Sequence, residues 1–97
     1  MSESTLLKNV ISTLRAMRAE GHPIKWLKIH GNQYQEAGTP DLHITYRGYS
    51  FWIELKTDAG RVSAIQRQRL KEWGDAGACA RVCRSVDEVV DLLWMIS

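Results

Sequence analysis

The stretch from Gly38 to Lys56, GTPDLHITYRGYSFWIELK, constrains the fold most strongly, because two apolar-rich runs in it flank Arg47-Gly48. This pattern predicts a β-hairpin. A two-residue loop at Arg47-Gly48 and a four-residue loop from Tyr46 to Tyr49 give the same register, in which the numbers of paired residues add up to 95.

This register gives the hairpin two unlike faces. One face is wholly apolar and consists of Leu42, Ile44, Tyr46, Tyr49, Phe51, Ile53 and Leu55. The other face pairs Thr45 with Ser50, His43 with Trp52, and Asp41 with Glu54, and Lys56 follows two residues later.

Opposed carboxylates at Asp41 and Glu54 destabilise a hairpin, because directly paired residues have Cβ atoms about 5 Å apart and like charges there repel. The pair therefore predicts a site for a hard divalent cation, with Lys56 as the other positive charge in reach. The alternative is that Asp41 only starts a strand, while Glu54 and Lys56 form a solvated stripe.

Two sequence motifs resemble those of a known nuclease family. Pro40-Asp41, followed a hairpin's length later by Glu54-Leu55-Lys56, resembles the PD-(D/E)xK nuclease signature. The longer stretches GTPDL and IELKTDAGRVSAIQ resemble the VRR-NUC (virus-type replication and repair nuclease) domain, and this resemblance covers nearly the whole chain. The short triplets occur by chance, but GTPDL, IELKT and GRxSxxQ in this order are much more specific.

The resemblance implies a magnesium-dependent DNA endonuclease in which manganese can substitute. It implies that Asp41 and Glu54 bind the metal, that the Leu55 backbone carbonyl is a further ligand, and that Lys56 orients or helps to deprotonate the attacking water. In this family an acidic residue on the first helix often completes the metal site, and Glu3 is the candidate. A carboxylate favoured by the helix dipole explains Glu3 equally well, and the number of ions, one or two, stays open.

Gln66 has two interpretations. Ser63 and Gln66 have capping-box spacing, whereas the resemblance implies that Gln66 contacts the active-site lysine or DNA. The N-terminus of this helix is expected near the carboxylates, where its free N–H groups suit a phosphate. The candidate DNA contacts are Lys28, Gln33, Tyr34, Arg61, Ser63 and Arg67.

Hydrophobic periodicity predicts one α/β domain over residues 1–97 with the order α-β-β-β-α-β-α. The resemblance implies that this is a restriction-endonuclease-like PD-(D/E)xK core, a small mixed sheet with helices on its faces. Outside the hairpin, helices are predicted over 4–19, 63–73 and 86–96 and strands over 24–30 and 80–83. Trp26 and Lys28 are predicted on a polar and aromatic strand face, opposite Leu27, and Gly74 and Gly77 are predicted to break the second helix.

Composition gives weaker constraints. Thirteen Lys plus Arg against 11 Asp plus Glu give a net charge of +2, which alone does not indicate nucleic-acid binding. The chain has no apolar run of the roughly 18 residues needed to cross a membrane and no secretory signal, so we expect a soluble cytoplasmic protein. The resemblance implies a phage protein in a bacterial host. Cys79 and Cys83 are expected to be thiols; zinc binding by them with the scattered histidines is disfavoured, because the chain has no CxxC pair.

The substrate is less constrained than the chemistry. The sequence shows no helix-turn-helix or zinc finger, which favours recognition of DNA shape and backbone. Similarity to minimal phage chains of this kind implies a homodimer that cleaves branched DNA such as a four-way (Holliday) junction. The alternatives are a related nuclease that nicks duplex or processes flaps, and a non-catalytic nucleic-acid-binding module. The wide apolar surface of the last helix at Leu92, Trp94 and Met95 is explained equally by a subunit contact and by the core.

Overall fold

The computed structural model of the chain describes residues 1–29 and 36–96. The elements in chain order are α1 (Glu3–Ala19), β1 (Ile24–Lys28), β2 (Leu42–Tyr46), β3 (Tyr49–Leu55), α2 (Ala64–Asp75), β4 (Cys79–Cys83) and α3 (Val86–Ile96). The predicted order α-β-β-β-α-β-α is therefore confirmed. Predictions that concern Gln33 and Tyr34 lie outside the described residues.

The four strands form one mixed sheet in the order β1-β2-β3-β4. β1, β2 and β3 pair antiparallel, and β4 pairs parallel to β3. The hairpin has the predicted register, since Leu42 pairs with Ile53 and Tyr46 pairs with Tyr49. Arg47 and Gly48 form its two-residue turn with φ angles of 51° and 84°, as a turn that follows the twist of the strands requires.

The core lies between the apolar face of the hairpin and the helices α1 and α3. The predicted hairpin core residues are buried except Tyr49, which is 48% exposed at the turn. The helices contribute Leu6, Val10, Leu14 and Met17 from α1 and Val89, Leu92 and Leu93 from α3. Trp94 and Met95 are 47% and 79% exposed, so part of the wide apolar surface of α3 lies outside the core.

The predicted division of β1 into two faces is confirmed, since Trp26 and Lys28 lie opposite Leu27, but the face with Trp26 is directed to the core and is not a polar surface. Trp26 pairs with Ile44 and packs against the core, whereas Leu27 pairs with His43 on the opposite face and is 60% exposed. Directly paired residues share a face, so the ladder with β2 decides the orientation of β1 and the polarity of β1 alone does not. The strand also ends at Lys28, before the predicted end.

Helix α2 packs on β3 and β4, on the sheet face opposite to α1 and α3, and has no buried residue. Trp73 stacks on Trp52 with ring centroids 4.0 Å apart and an angle of 22° between the planes, which anchors the C-terminal half of the helix. Gly74 does not break α2, which continues to Asp75. One glycine in a helix costs only about 1 kcal/mol relative to alanine, too little to end a helix held by neighbouring packing.

Cys79 and Cys83 are free thiols on β4. Burial raises the pKa of the Cys83 thiol to about 12, so this thiol stays protonated at neutral pH in the metal-free protein. Within the ranges that the structure describes, no helix has both the length and the apolar character needed to span a membrane.

Candidate active site

The two acidic residues of the hairpin meet at the end of β3. Asp41 lies directly before β2, and its Oδ2 accepts a 2.8 Å hydrogen bond from the backbone N–H of Leu55. Glu54 lies next to Leu55 and is only 2% exposed. The hydrogen bond fixes the Asp41 carboxylate across the hairpin, beside Glu54, in the arrangement expected one step beyond the Leu42–Ile53 pair.

The Glu54 carboxyl lies in an environment that disfavours its charge. Burial, followed by the negative charge of Asp41, raises the pKa of Glu54 to about 8, although the positive charge of Lys56 acts in the opposite direction. Its Oε1 is buried and has no hydrogen-bond partner among the described residues. A buried acceptor without a partner is costly, so this oxygen is suited to a group that the protein chain itself does not provide.

Lys56 joins the acidic pair to the first helix. Its Nζ lies 3.6 Å from Oε2 of Glu54 and 3.5 Å from Oε1 of Glu3, and its side chain is 12% exposed. Glu3 is the first residue of α1, whose N-cap is Ser2. The structure therefore brings Glu3 to the site, where it contacts the ammonium of Lys56.

Gln66 caps α2 as the spacing predicts, but its other contact is with the acidic pair and not with the lysine that the resemblance implies. Its Oε1 accepts a 2.9 Å hydrogen bond from the Ser63 backbone N–H, and its own backbone N–H donates to Ser63 Oγ, which completes the capping box of α2. Its Nε2 donates a 3.3 Å hydrogen bond to Oε2 of Glu54. Gln66 makes both contacts at once because a side-chain amide has an acceptor end and a donor end. The contact is made to Glu54 and not to the lysine.

The predicted DNA contacts within the described ranges lie in two parts of the chain, the start of α2 with the segment before it and the end of β1. Arg61 is exposed in the segment before α2, and Ser63 is the N-cap of the helix. Arg67 lies in the first turn of α2 and donates to the carbonyl of Val62. Lys28 is exposed at the end of β1 and pairs with Leu42, the residue after Asp41.

Gly38 belongs to the GTPDL motif, but the sequence does not indicate its structural role. It has a φ angle of +80°, and a Cβ atom there would lie 2.9 Å from the backbone carbon and oxygen of Ile65. Glycine therefore lets the loop before Asp41 press against the first turn of α2. Arg69 holds the same loop from α2 by donating to the Ala37 carbonyl and by an ion pair with Glu36.

Arg84, between β4 and α3, is a further residue that sequence reasoning does not find. One nitrogen of its guanidinium donates to the carbonyls of Thr57 and Gly60 at 2.7 and 2.8 Å. These carbonyls belong to the turn that follows Lys56. No local pattern distinguishes Arg84 from the other arginines, because its partners are 24 and 27 residues away.

The residues at this site fit a divalent cation. Carboxylate and carbonyl oxygens are the hard ligands that magnesium and manganese prefer, and Glu54 supplies a buried oxygen that has no partner among the described residues. Among residues 1–29 and 36–96, no group of three or more His, Cys, Asp or Glu side chains could hold a metal ion. The donor set is thus a carboxylate pair, as in magnesium sites that bind through one or two carboxylates, water and substrate phosphate.

Comparison with known proteins supports this fold. No protein-family model matches the sequence, and no curated protein matches it closely. Solved structures do match, and two of them are similar over almost the whole chain. One, described as "VRR_NUC domain protein", has a TM-score of 0.77 and 23% sequence identity over 97% of this chain and 86% of its own. The other, described as "VRR_NUC domain", has a TM-score of 0.70 and 22% identity over 98% and 97%. The chain thus has the fold of VRR_NUC domains, as the sequence motifs indicated.

Proposed function

We propose that this chain, which has the VRR_NUC fold, is a metal-dependent endonuclease that hydrolyses phosphodiester bonds in DNA. The main support for the proposal is that Asp41, Glu54 and Lys56 lie together at one end of the hairpin. These are the residues that align with the PD-(D/E)xK motif in the sequence. A fold shared at low identity does not by itself define an activity, so the proposal depends on this site.

Asp41, Glu54 and the Leu55 backbone carbonyl would hold Mg²⁺ or Mn²⁺. When bound, the ion would act as a Lewis acid on the phosphate and would lower the pKa of the attacking water. Gln66 occupies Oε2 of Glu54 and leaves Oε1 without a partner among the described residues, which supports Oε1 as the oxygen directed to the ion.

Lys56 orients the attacking water, and its positive charge stabilises the hydroxide that forms when this water loses its proton to solvent. Contacts to Glu54 and Glu3 restrict its ammonium from two sides, which supports a fixed position for it. We assign Glu3 to holding Lys56, because Glu3 contacts this ammonium and belongs to no ligand cluster of three or more side chains in the described part of the chain.

The proposed substrate is branched DNA, such as a four-way junction, cut by a symmetric dimer that places one active site on each of two strands. Exposed Trp94 and Met95 near the end of α3 provide apolar surface for a second subunit. Lys28, Arg61, Ser63 and Arg67 are proposed to contact the DNA backbone, which would position a strand without reading its bases.

The test is a panel of end-labelled DNAs of equal length, comprising a four-way junction, a flap and a linear duplex, incubated with Mg²⁺ or with chelator at one salt concentration. We expect Mg²⁺-dependent cleavage that is strongest on the junction. We also expect light scattering to show a dimer at micromolar concentration. Equal cutting of junction and duplex would contradict the substrate assignment. Absence of cutting on all three DNAs would contradict the nuclease assignment.

A further inference from the structure

The turn from Thr57 to Gly60 directly follows Lys56 and is closed by a hydrogen bond of 3.0 Å from the Gly60 N–H to the Thr57 carbonyl. The Lys56 backbone itself is fixed, because its N–H donates to the Cys83 carbonyl on β4. The long side chain beyond it has four rotatable bonds, and its ammonium needs further support to stay in one place.

Gly60 provides part of this support. A Cβ atom on Gly60 would lie 3.3 Å from both Cβ and Cδ of Lys56, so the glycine backbone packs directly against the aliphatic part of the lysine side chain. The position of the turn therefore decides which conformations of Lys56 are sterically allowed.

One side of the turn borders a surface cavity. Thr57, Asp58 and Ala59 line this cavity, which is bounded on its other sides by Met1 and Leu6 and by the start of α3. Across this cavity border, the hydrogen bonds from Arg84 to the Thr57 and Gly60 carbonyls connect the turn to the segment between β4 and α3. The planar guanidinium suits this task, because its donors have a fixed geometry.

Arg84 is held between β4 and α3. It follows Cys83, the last residue of β4, and its backbone N–H donates to Oε1 of Glu88 at the start of α3. The contacts thus run without a gap from Arg84 to the Gly60 carbonyl, from the Gly60 backbone to the Lys56 side chain, and from Lys56 to Glu54.

We propose that Arg84 is a positioning residue that holds the Thr57–Gly60 turn against Lys56 and so keeps the lysine ammonium beside Glu54. This inference rests on the proposed nuclease function for its kinetic consequence. Its structural consequence, a Lys56 side chain ordered by Arg84, is independent of that function.

The kinetic test compares Arg84→Met and Arg84→Lys with the control Arg81→Met. Arg81 is an exposed arginine on β4 that donates to the neighbouring Ala80 carbonyl, away from the turn. Arg84→Met is expected to lower the single-turnover cleavage rate at saturating DNA and Mg²⁺ at least ~10-fold, with DNA affinity changed less than about 2-fold. Arg84→Lys should recover part of the rate, and Arg81→Met should cleave like the wild type.

Gly60→Ala provides a second test that does not depend on the folding of the arginine variants. Its methyl group would press on the Lys56 side chain, so it is expected to lower the rate without weakening DNA binding. Combined with Arg84→Met, its effect should be less than multiplicative, because both act on the same contact. Full activity in Gly60→Ala, or an Arg84→Met protein that matches Arg81→Met, would overturn the inference.

An NMR measurement separates this inference from the proposed function. Order parameters of the Lys56 side chain in the metal-free protein should fall in Arg84→Met and stay unchanged in Arg81→Met. If the wild type cleaves no DNA, the nuclease proposal fails while this measurement still decides the role of Arg84. Equal Lys56 order in both variants would overturn that role even if cleavage is observed.

Discussion

The Asp41 carboxylate accepts a hydrogen bond from the backbone N–H of Leu55, and this contact fixes an acidic side chain next to the buried carboxyl of Glu54. The strand ladder ends just before this point, so a side chain replaces the backbone acceptor. The sheet thereby places two carboxyls together at a cost in stability, which is a known feature of functional sites.

Replacing Asp41 by asparagine should separate stability from activity. Asp41→Asn keeps an oxygen that can accept from Leu55 and removes the charge that repels Glu54, so the metal-free protein should be unchanged or up to about 1 kcal/mol more stable. Cleavage should be lost. Thermal melting in chelator measures the first effect, with Asp91→Asn on the exposed face of α3 as control. A clear drop in melting temperature for Asp41→Asn alone would contradict the opposed-pair geometry.

Glu54 should make the metal-free protein less stable as the pH rises. Its pKa is about 8 in the folded protein, whereas the ordinary value is 4.5. The contribution of Glu54 to the free energy of unfolding is therefore complete below about pH 4.5 and is lost as the pH rises to about 8. The slope contributed by this one group is at most about −1.4 kcal/mol per pH unit.

Urea unfolding in chelator at several pH values measures the free energy of unfolding of the wild type and of Glu54→Gln. The difference between the two proteins isolates this slope. The subtraction also removes the titration of His43, whose pKa burial lowers and whose contribution has the opposite sign. A difference that stays constant between pH 5 and 8 would show that Glu54 titrates normally.

Gly38 and Gly74 form a matched pair of glycines. Gly38→Ala should destabilise the protein by about 1 to 3 kcal/mol, because the position has a positive φ and the new methyl group meets the backbone of Ile65. Gly74 lies in α2, where a Cβ atom would meet nothing within 4 Å, so Gly74→Ala should stabilise the protein by ~0.5 kcal/mol. Chemical denaturation measures both. Equal effects of the two substitutions would contradict the close approach of the loop to α2.

Gln66→Glu tests the contact between α2 and the acidic pair. Glutamate retains the acceptor oxygen of the capping box, so the helix should stay capped. It replaces the amide donor to Glu54 with a further carboxylate, so cleavage should fall ~10-fold or more at unchanged helix content. Gln68→Glu is the matched control, because the Gln68 amide also donates to a glutamate, Glu72, but on the exposed surface. Similar activity in the two variants would argue against a role for Gln66 at the site.

The sequence predicted the hairpin and its site well because the information was local. The turn residues, the alternation of apolar side chains and the register all lie within one stretch, and the register alone brings Asp41 to Glu54. Capping residues likewise placed the start of α2 at Ser63.

Features that depend on distant partners could not be obtained in this way. Which face of β1 packs against the core is set by its pairing with β2, and the polarity of β1 alone does not reveal it. The contact of Gln66 with Glu54 and the hydrogen bonds of Arg84 to the turn join segments that are far apart in the chain. A polar side chain has the same local sequence signal whether its partner is water or a buried carbonyl.

The central claim is that Asp41 and Glu54 together bind a divalent cation. Its most direct test is calorimetric titration of Mn²⁺ at pH 8, into wild type, Glu54→Gln, Asp41→Asn and the control Asp91→Asn, with and without DNA. We expect saturable binding to wild type and Asp91→Asn that is lost in the two site variants. Binding retained in Glu54→Gln, or no binding to the wild type even with DNA present, would contradict the claim.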